Sequence, residues 1–430
     1  MKKISFPRML VISLLGFALT FSSNIQDPPL MTFKVRQLAP DLPNTTLGIL
    51  GFIGLLVAMV VQPIVGVFSD RARTKLGRRL PFIIGGAFLI AASLFLLAAA
   101  PVLWVLLLGV ILIQFSSNIL QGPWQALIPD LVPERQRGQA SSLKAVMDIL
   151  ALVLGGMAAG MILGEGGIAR WGEQAVYVAA AAPTVVFFVF VILTALWARE
   201  KEGQAAEAVT SRSIGEALSK AFYVNFRERP VFGWWFANRI LFWGAFIAIN
   251  SFLINYLVDV IGMSEAGAQG FYGRLKVILG VALMVLALAA GWVSDRFGRK
   301  PVVLTAGLVS FAGAVLFLFV RNQTLLTVAG AIVGMGVGTF ITASWALATD
   351  IVPRQEAARY LGIANIATCI GSGVARLLGG VLIDPINQAL GSSSSGYLLL
   401  YTLAALCFLT SALVILPLPN KRQDPDAPAV

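Results

Sequence analysis

The 430-residue chain has no histidine, two cysteines and only 12% charged residues. Without an imidazole, histidine acid–base chemistry and histidine-ligated metal sites are excluded. Cys369 and Cys407 both fall inside long apolar runs, so neither a disulfide framework nor a thiolate metal cluster is supported. A charged fraction this far below the roughly 25% of soluble domains argues against a water-soluble protein. Short alternating segments of the β-barrel kind are also missing. The glycine-rich runs 330–338 and 371–380 lack the Lys-Ser/Thr of a nucleotide loop, which disfavours ATP-driven chemistry. They read instead as close helix contacts.

What the chain has is apolar sequence: 58% hydrophobic residues and a mean hydropathy of +0.83. Repeated runs of about 20 apolar residues predict an all-α polytopic membrane protein. Helices are favoured because each backbone polar group in hydrocarbon must find a partner within its own segment. Twelve spans fit. The first covers about 8–33; it resembles a signal peptide but is too long and lacks an Ala-x-Ala-like cleavage site. The seventh covers about 231–258 and the eleventh about 358–383. Residues 1–197 then form one six-helix bundle, 198–230 a polar linker, 231–417 a second bundle and 418–430 a tail.

The net charge of +11 is a topology signal and gives no support for a nucleic-acid partner. Lysine and arginine concentrate in one set of loops, and the other set holds only Lys34, Arg36, Arg170 and Arg321. The positive-inside pattern puts both termini on the cytoplasmic side of the cytoplasmic (inner) membrane. Two landmarks recur. Ser69-Asp70-Arg71 … Gly77-Arg78-Arg79 returns as Ser294-Asp295-Arg296 … Gly298-Arg299-Lys300, and Asp130-Leu131-Val132-Pro133 returns as Asp350-Ile351-Val352-Pro353. The spacings, 225 and 220 residues, agree on one duplication with both copies in the same orientation. Two parallel-repeat six-helix bundles follow.

With these motifs the chain resembles the major facilitator superfamily. The Gly66-x-x-Ser69-Asp70-Arg71 … Gly77-Arg78-Arg79 clasp and its copy from Gly291 to Lys300 carry the resemblance. More narrowly, Gly77-Arg78-Arg79-Leu80-Pro81-Phe82-Ile83 and Asn118-Ile119-Leu120-Gln121-Gly122-Pro123 are similar to stretches of the glycoside–pentoside–hexuronide:cation symporters and their sucrose-carrier relatives. The resemblance implies the major facilitator fold and transport of a sugar or glycoside. Three positions depart from it. Gln114 stands where sucrose carriers have an acidic residue, Gln125 where they have an arginine, and Gln62-Pro63 where sodium-coupled members have Asp-Pro. Amides in place of the cation-site carboxylates speak against a sodium site.

The clasp supplies gating candidates: Gly66, Asp70, Arg71, Gly77, Arg78 and Arg79, then Gly291, Asp295, Arg296, Gly298 and Arg299. Asp70 can take hydrogen bonds from a helix N-terminus or an arginine, and the arginines can pair with loop carboxylates or acidic lipid. The alternative is that the charges set topology only.

Charges inside spans are costly, about 2.5–3.5 kcal/mol at mid-bilayer on insertion scales, and ask for a job. Seven occur: Asp27, Lys144, Asp148, Arg239, Arg274, Lys276 and Arg376. Lys144 can snorkel to the cytoplasm, and Arg274 and Lys276 to the outer interface. Asp27, in Asn24-Ile25-Gln26-Asp27-Pro28-Pro29, sits where two prolines remove helix donors, so the helix should bend or break there. A carboxylate at such a break suits a coupling proton; the alternative places it, solvated, at the outer mouth. Arg376 falls at the depth of Asp27 and can pair with it or bind an anionic or hydroxyl-rich substrate, and Asp148 and Arg239 can form a second pair; a purely structural inter-span ion pair is the alternative. Gln62, Gln114, Asn118, Gln121, Gln125, Asn238, Asn250 and Asn365 can supply amides to a sugar, and Trp124, Trp243 and Trp345 can supply apolar platforms. The expectation is a monomeric secondary transporter working by alternating access, with solute and bilayer as partners, no enzymatic activity and no bound cofactor beyond a proton. Uncoupled facilitation stays open. A proton-driven exporter of amphiphiles would need a cavity of aromatics and methionine, and a non-transporting receptor or scaffold would need no buried charge.

Overall fold

A computed structural model of the chain describes residues 4–72, 74, 76–197, 230–351 and 357–418. The expected linker, up to residue 229, and the tail from 419 lie outside the described residues, as does the loop 352–356. Among the described residues twelve helical stretches are long and apolar enough to cross a membrane, and no strand occurs.

We label the α-helices in chain order: α1 Phe6–Ile25, α2 Met31–Leu38, α3 Pro43–Arg71, α4 Leu80–Ala99, α5 Leu103–Leu131, α6 Glu134–Leu163, α7 Glu165–Trp171 and α8 Ala175–Trp197. After the linker come α9 Pro230–Asp259, α10 Glu265–Phe297, α11 Arg299–Phe319, α12 Gln323–Ile351, α13 Ala357–Leu390 and α14 Ser395–Val414. The first span is interrupted as its prolines dictate. Pro28 and Pro29 cannot donate to the carbonyls of Asn24 and Ile25. Between α1 and α2 the chain makes a π-turn over Gln26–Leu30, with Asp27 in extended geometry at φ −130°, ψ 115°.

The described chain forms two compact units. One contains Met1–Asp41, Ile53–Leu218 and Glu265–Lys276; the other contains Leu42–Phe52, Ser219–Ser264 and Val277–Val430. Neither is contiguous. The first turns of α3 belong to the second unit, and the first turns of α10 belong to the first.

Within the first unit α1 packs on α6 and α8, and α4 on α5 and α8. Within the second, α9 packs on α13 and α14, and α11 on α12 and α14. These are the same four pairings under the duplication, so the repeated sequence produces a repeated bundle. Aromatic side chains fill both cores: Phe17 stacks on Phe21 and meets Phe190 edge-on, while Phe242 stacks on Phe340 at 3.6 Å and meets Phe408 edge-on.

The two exchanged segments are seated by glycine. A Cβ added at Gly160 of α6 would stand 2.9 Å from the Gly273 Cα of α10. One added at Gly48 of α3 would stand 2.6 Å from the Gly380 Cα of α13. Only backbones without side chains approach so closely, as small-residue contacts between membrane helices require.

Candidate solute and ion site

A polar pocket of about 280 Å³ opens inside the first unit between α1, α5 and α6. The spacing of α5 explains its wall. Gln114, Asn118, Gln121 and Gln125 recur at helical intervals and share one face, and all four line the pocket. Thr20, Ser23, Gln26 and Asp27 enter from the first span, and Lys144 and Asp148 from α6. Trp124 forms an apolar floor: it is buried, its indole N–H donates to the Ile12 carbonyl at 2.7 Å, and its ring rests against Gly16. Lys144 places its ammonium 5.2 Å from the centre of that ring and pairs with Asp148 at 2.8 Å. Thr20 lies 3.5 Å from the other Asp148 oxygen. Such a wall offers donors, acceptors and one flat face, the complement of a hydroxyl-rich ring.

Asp27 sits at the helix break, half-buried, and lines this pocket. Its nearby opposite charge is Lys276 of α10. Sequence reasoning sent Lys276 to the outer interface; instead it is 5% exposed, with its stem against Gly156 and its ammonium 5.0 Å from the Tyr272 ring. Lys144, expected to snorkel, is a pocket residue, and it stands beside Asp148 where depth alone had suggested Arg239. Arg274, by contrast, is exposed. Asn24 bonds the Thr20 carbonyl and packs on Gly155 of α6. Gln62 lies on α3 with its carbonyl toward Gly122. Neither Asn24 nor Gln62 is among the residues lining the pocket.

The second unit holds the remaining candidates. Arg239, 3% exposed, donates to the Thr368 hydroxyl at 3.0 Å and lies over the Trp345 ring at 4.6 Å and the Trp235 ring at 5.6 Å. Trp345 is thus a cation–π partner of Arg239. Trp243 meets Phe246 edge-on, and its indole N–H is buried without a hydrogen-bond partner among the described residues. Arg376 of α13 runs along α3, where a Cβ on Gly51 would stand 2.7 Å from its Cδ.

Sequence reasoning missed a buried network in this unit. Asp384 accepts from the Asn44 amide and the Thr45 backbone N–H, both at 2.7 Å, at the start of α3. Asn44 also accepts from Asn255 at 2.9 Å and Tyr397 at 3.1 Å, and the Tyr397 hydroxyl lies 2.5 Å from Asp259. A carboxylate at the N-terminal turn of a helix meets the unpaired N–H groups and the positive end of its dipole.

The clasps close on the second landmark. Arg78 and Arg79 both reach Asp130, at 2.8 and 3.1 Å, and Arg79 also donates to Ser69 at 2.6 Å. In the copy Arg299 reaches Asp350 at 3.0 Å, and Lys300 donates to the Leu416 and Leu418 carbonyls. Gly77 and Gly298 turn the two loops with φ of 93° and 92°, which a side chain would oppose. The side chains of Asp70, Arg71 and Asp295 lie outside the described residues. Arg296 is exposed over Phe297. Among the described residues a methyl at Gly66 would meet nothing within 4 Å, and one at Gly291 would meet Thr342 at 3.9 Å.

The family model described as MFS/sugar transport protein matches residues 40–416, and the chain belongs to that family. It is a multi-pass membrane protein. Among curated relatives it is 37% identical over 98 residues to the minor myo-inositol transporter IolF of Bacillus subtilis, covering 23% of this chain and 22% of that one. It is 31% identical over 148 residues to the sucrose transport protein SUC4 of Arabidopsis thaliana, covering 29% of each. The matched stretches therefore span between a fifth and a third of those two relatives' lengths. Among solved structures it superposes on a D-xylose–proton symporter with a TM-score of 0.73 at 15% identity, covering 96% of this chain and 97% of that one. It also superposes on a bacterial homolog of the human lysosomal transporter Spinster with a TM-score of 0.70 at 13% identity, covering 95% and 96%. These superpositions speak to the fold alone.

Proposed function

We propose that the protein is a secondary transporter that carries a sugar or related polyhydroxylated solute by alternating access, with Asp27 as the carrier of a coupling proton. The observation that supports this best is the pocket of the first unit: four amides on one face of α5, an indole floor, and a carboxylate at a break in the first span. Hydroxyl groups find both donors and acceptors there, and a half-buried carboxylate facing them can exchange a proton with the passage. The family and the inositol and sucrose carriers among the relatives agree with such a cargo. An amphiphile exporter is not favoured by a wall of amides and hydroxyls. We place the protein in the cytoplasmic membrane with both termini inside, working as a monomer, without enzymatic activity and without a sodium site.

Uptake of labelled monosaccharides, disaccharides and inositol into proteoliposomes tests the reading. Accumulation of at least one of them above equilibrium under an inward proton gradient is expected, and removal of the Gln121 amide (Gln121→Ala) should weaken its binding by about tenfold, the cost of one or two unmade hydrogen bonds. Absence of uptake for every hydroxylated solute, with or without the gradient, would contradict it.

A further inference from the structure

We propose that Lys276 is the counter-ion of Asp27 and the positioning residue through which the charge state of the pocket controls the seating of the first turns of α10. The inference rests on the reading of Asp27 given above.

Residues Glu265–Lys276 belong to the first unit, and from Val277 the same helix belongs to the second. Lys276 is therefore the last residue of the seated segment. Polar contacts run from that segment to the interrupted first span. Glu265 takes a bond from Arg36 at 3.0 Å. Gln269 donates to the Pro29 carbonyl at 3.0 Å, a group inside the π-turn beside Asp27. Lys276, buried against Gly156 and Tyr272, feels the Asp27 charge. A buried ammonium is retained only with a compensating charge. Here that charge also faces the solute pocket.

The other charged groups around Asp27 are few. On α6 they are Lys144 and Asp148, already joined to each other; α5 presents amides only; α2 carries Lys34, and Arg36, which is committed to Glu265. On α8 the one titratable group is Tyr177, which is exposed. Lys276 alone among them sits at the point where a helix changes unit. A proton on Asp27, or solute hydroxyls occupying its oxygens, removes the partner of Lys276 and loosens the seat of α10.

The test uses the full chain with Cys369 and Cys407 replaced by serine and a thiol pair introduced as Arg36→Cys with Glu265→Cys. A short bifunctional thiol reagent then reports seating. We expect cross-linking, normalised at each pH to the alkylation rate of the same two thiols so that their own ionisation cancels, to be high at alkaline pH and lower in acid. Lys276→Gln should abolish that pH dependence and lower gradient-driven accumulation about tenfold while counterflow persists. Asp27→Asn combined with Lys276→Gln should restore high cross-linking at every pH. If Lys276→Gln keeps the parent's pH dependence and accumulation, or if the double variant folds and seats no better than the single, the inference is overturned. If instead the parent moves no sugar but its cross-linking responds to pH and to Lys276, the transport reading fails and the ion pair stands.

Discussion

The first turns of α3 and of α10 are both seated in the unit that the rest of their helix leaves, and both use a glycine seam. Their polar chemistry differs. At α3 a closed network of Asp384, Asn44, Asn255, Tyr397 and Asp259 satisfies nearly every polar atom internally. At α10 the contacts include Arg36 with Glu265 and Gln269 with the Pro29 carbonyl, and the buried Lys276 feels the charge of Asp27, a carboxylate that also faces the pocket. Two segments of one duplication thus carry different polar chemistry. One is fixed by a network with no exposed member to perturb. The other carries a buried ammonium that feels a pocket-facing carboxylate.

That contrast predicts its own failures. The largest loss of stability should come from Asn44→Ala, which strips Asp384, Tyr397 and Asn255 of a shared partner. A drop of about 3 kcal/mol is expected, read as a lower unfolding temperature in detergent, because each stranded buried group costs 1–3 kcal/mol. A variant as stable as the parent would remove the network from the account. Next, Gly48→Ala and Gly160→Ala should each cost about 1–3 kcal/mol through overpacking against a backbone. Gly66→Ala, with open space around it, should stay within about 0.5 kcal/mol in the same assay. Equal effects at all three positions would mean that the seams are not what seats the segments. A smaller loss is expected at the first clasp. Asp130→Asn releases Arg78 and Arg79 and should destabilise by about 1 kcal/mol, an effect that should shrink in high salt. The smallest effect belongs to Glu265→Gln, within about 0.5 kcal/mol, because its ion pair with Arg36 is half-exposed.

The fold was largely legible because a membrane leaves the backbone few options. Apolar run length marked the spans, and two repeated loops marked the duplication. The break at Asp27 was legible too, since missing proline donors are a local fact. Three-dimensional partners were less so. The eleventh span ends at residue 383 and the seventh at 258 in the sequence reading, each one residue short of a carboxylate that joins the network, the buried Asp384 and the half-buried Asp259. A charge at a span end looks like an ordinary boundary, and only the neighbouring helix shows that it is an interior one. Lys276 was misplaced for a related reason: depth along a helix says nothing of which face it occupies. Asn24 and Gln62 had the right chemistry on faces that do not meet the pocket. The four glutamine and asparagine residues of α5 succeeded because their spacing alone puts them on one face.

The central claim is that, of the half-buried Asp27 and the buried Asp384, only the one facing the pocket carries transport coupling. Sugar uptake by Asp27→Asn and Asp384→Asn in proteoliposomes, side by side and per folded molecule, under an imposed proton gradient and in counterflow, tests it most directly. The account predicts that Asp27→Asn loses accumulation but keeps exchange, while Asp384→Asn loses stability but keeps the parent's ratio of accumulation to exchange. Undiminished accumulation by Asp27→Asn, or its loss in Asp384→Asn alone, would contradict it.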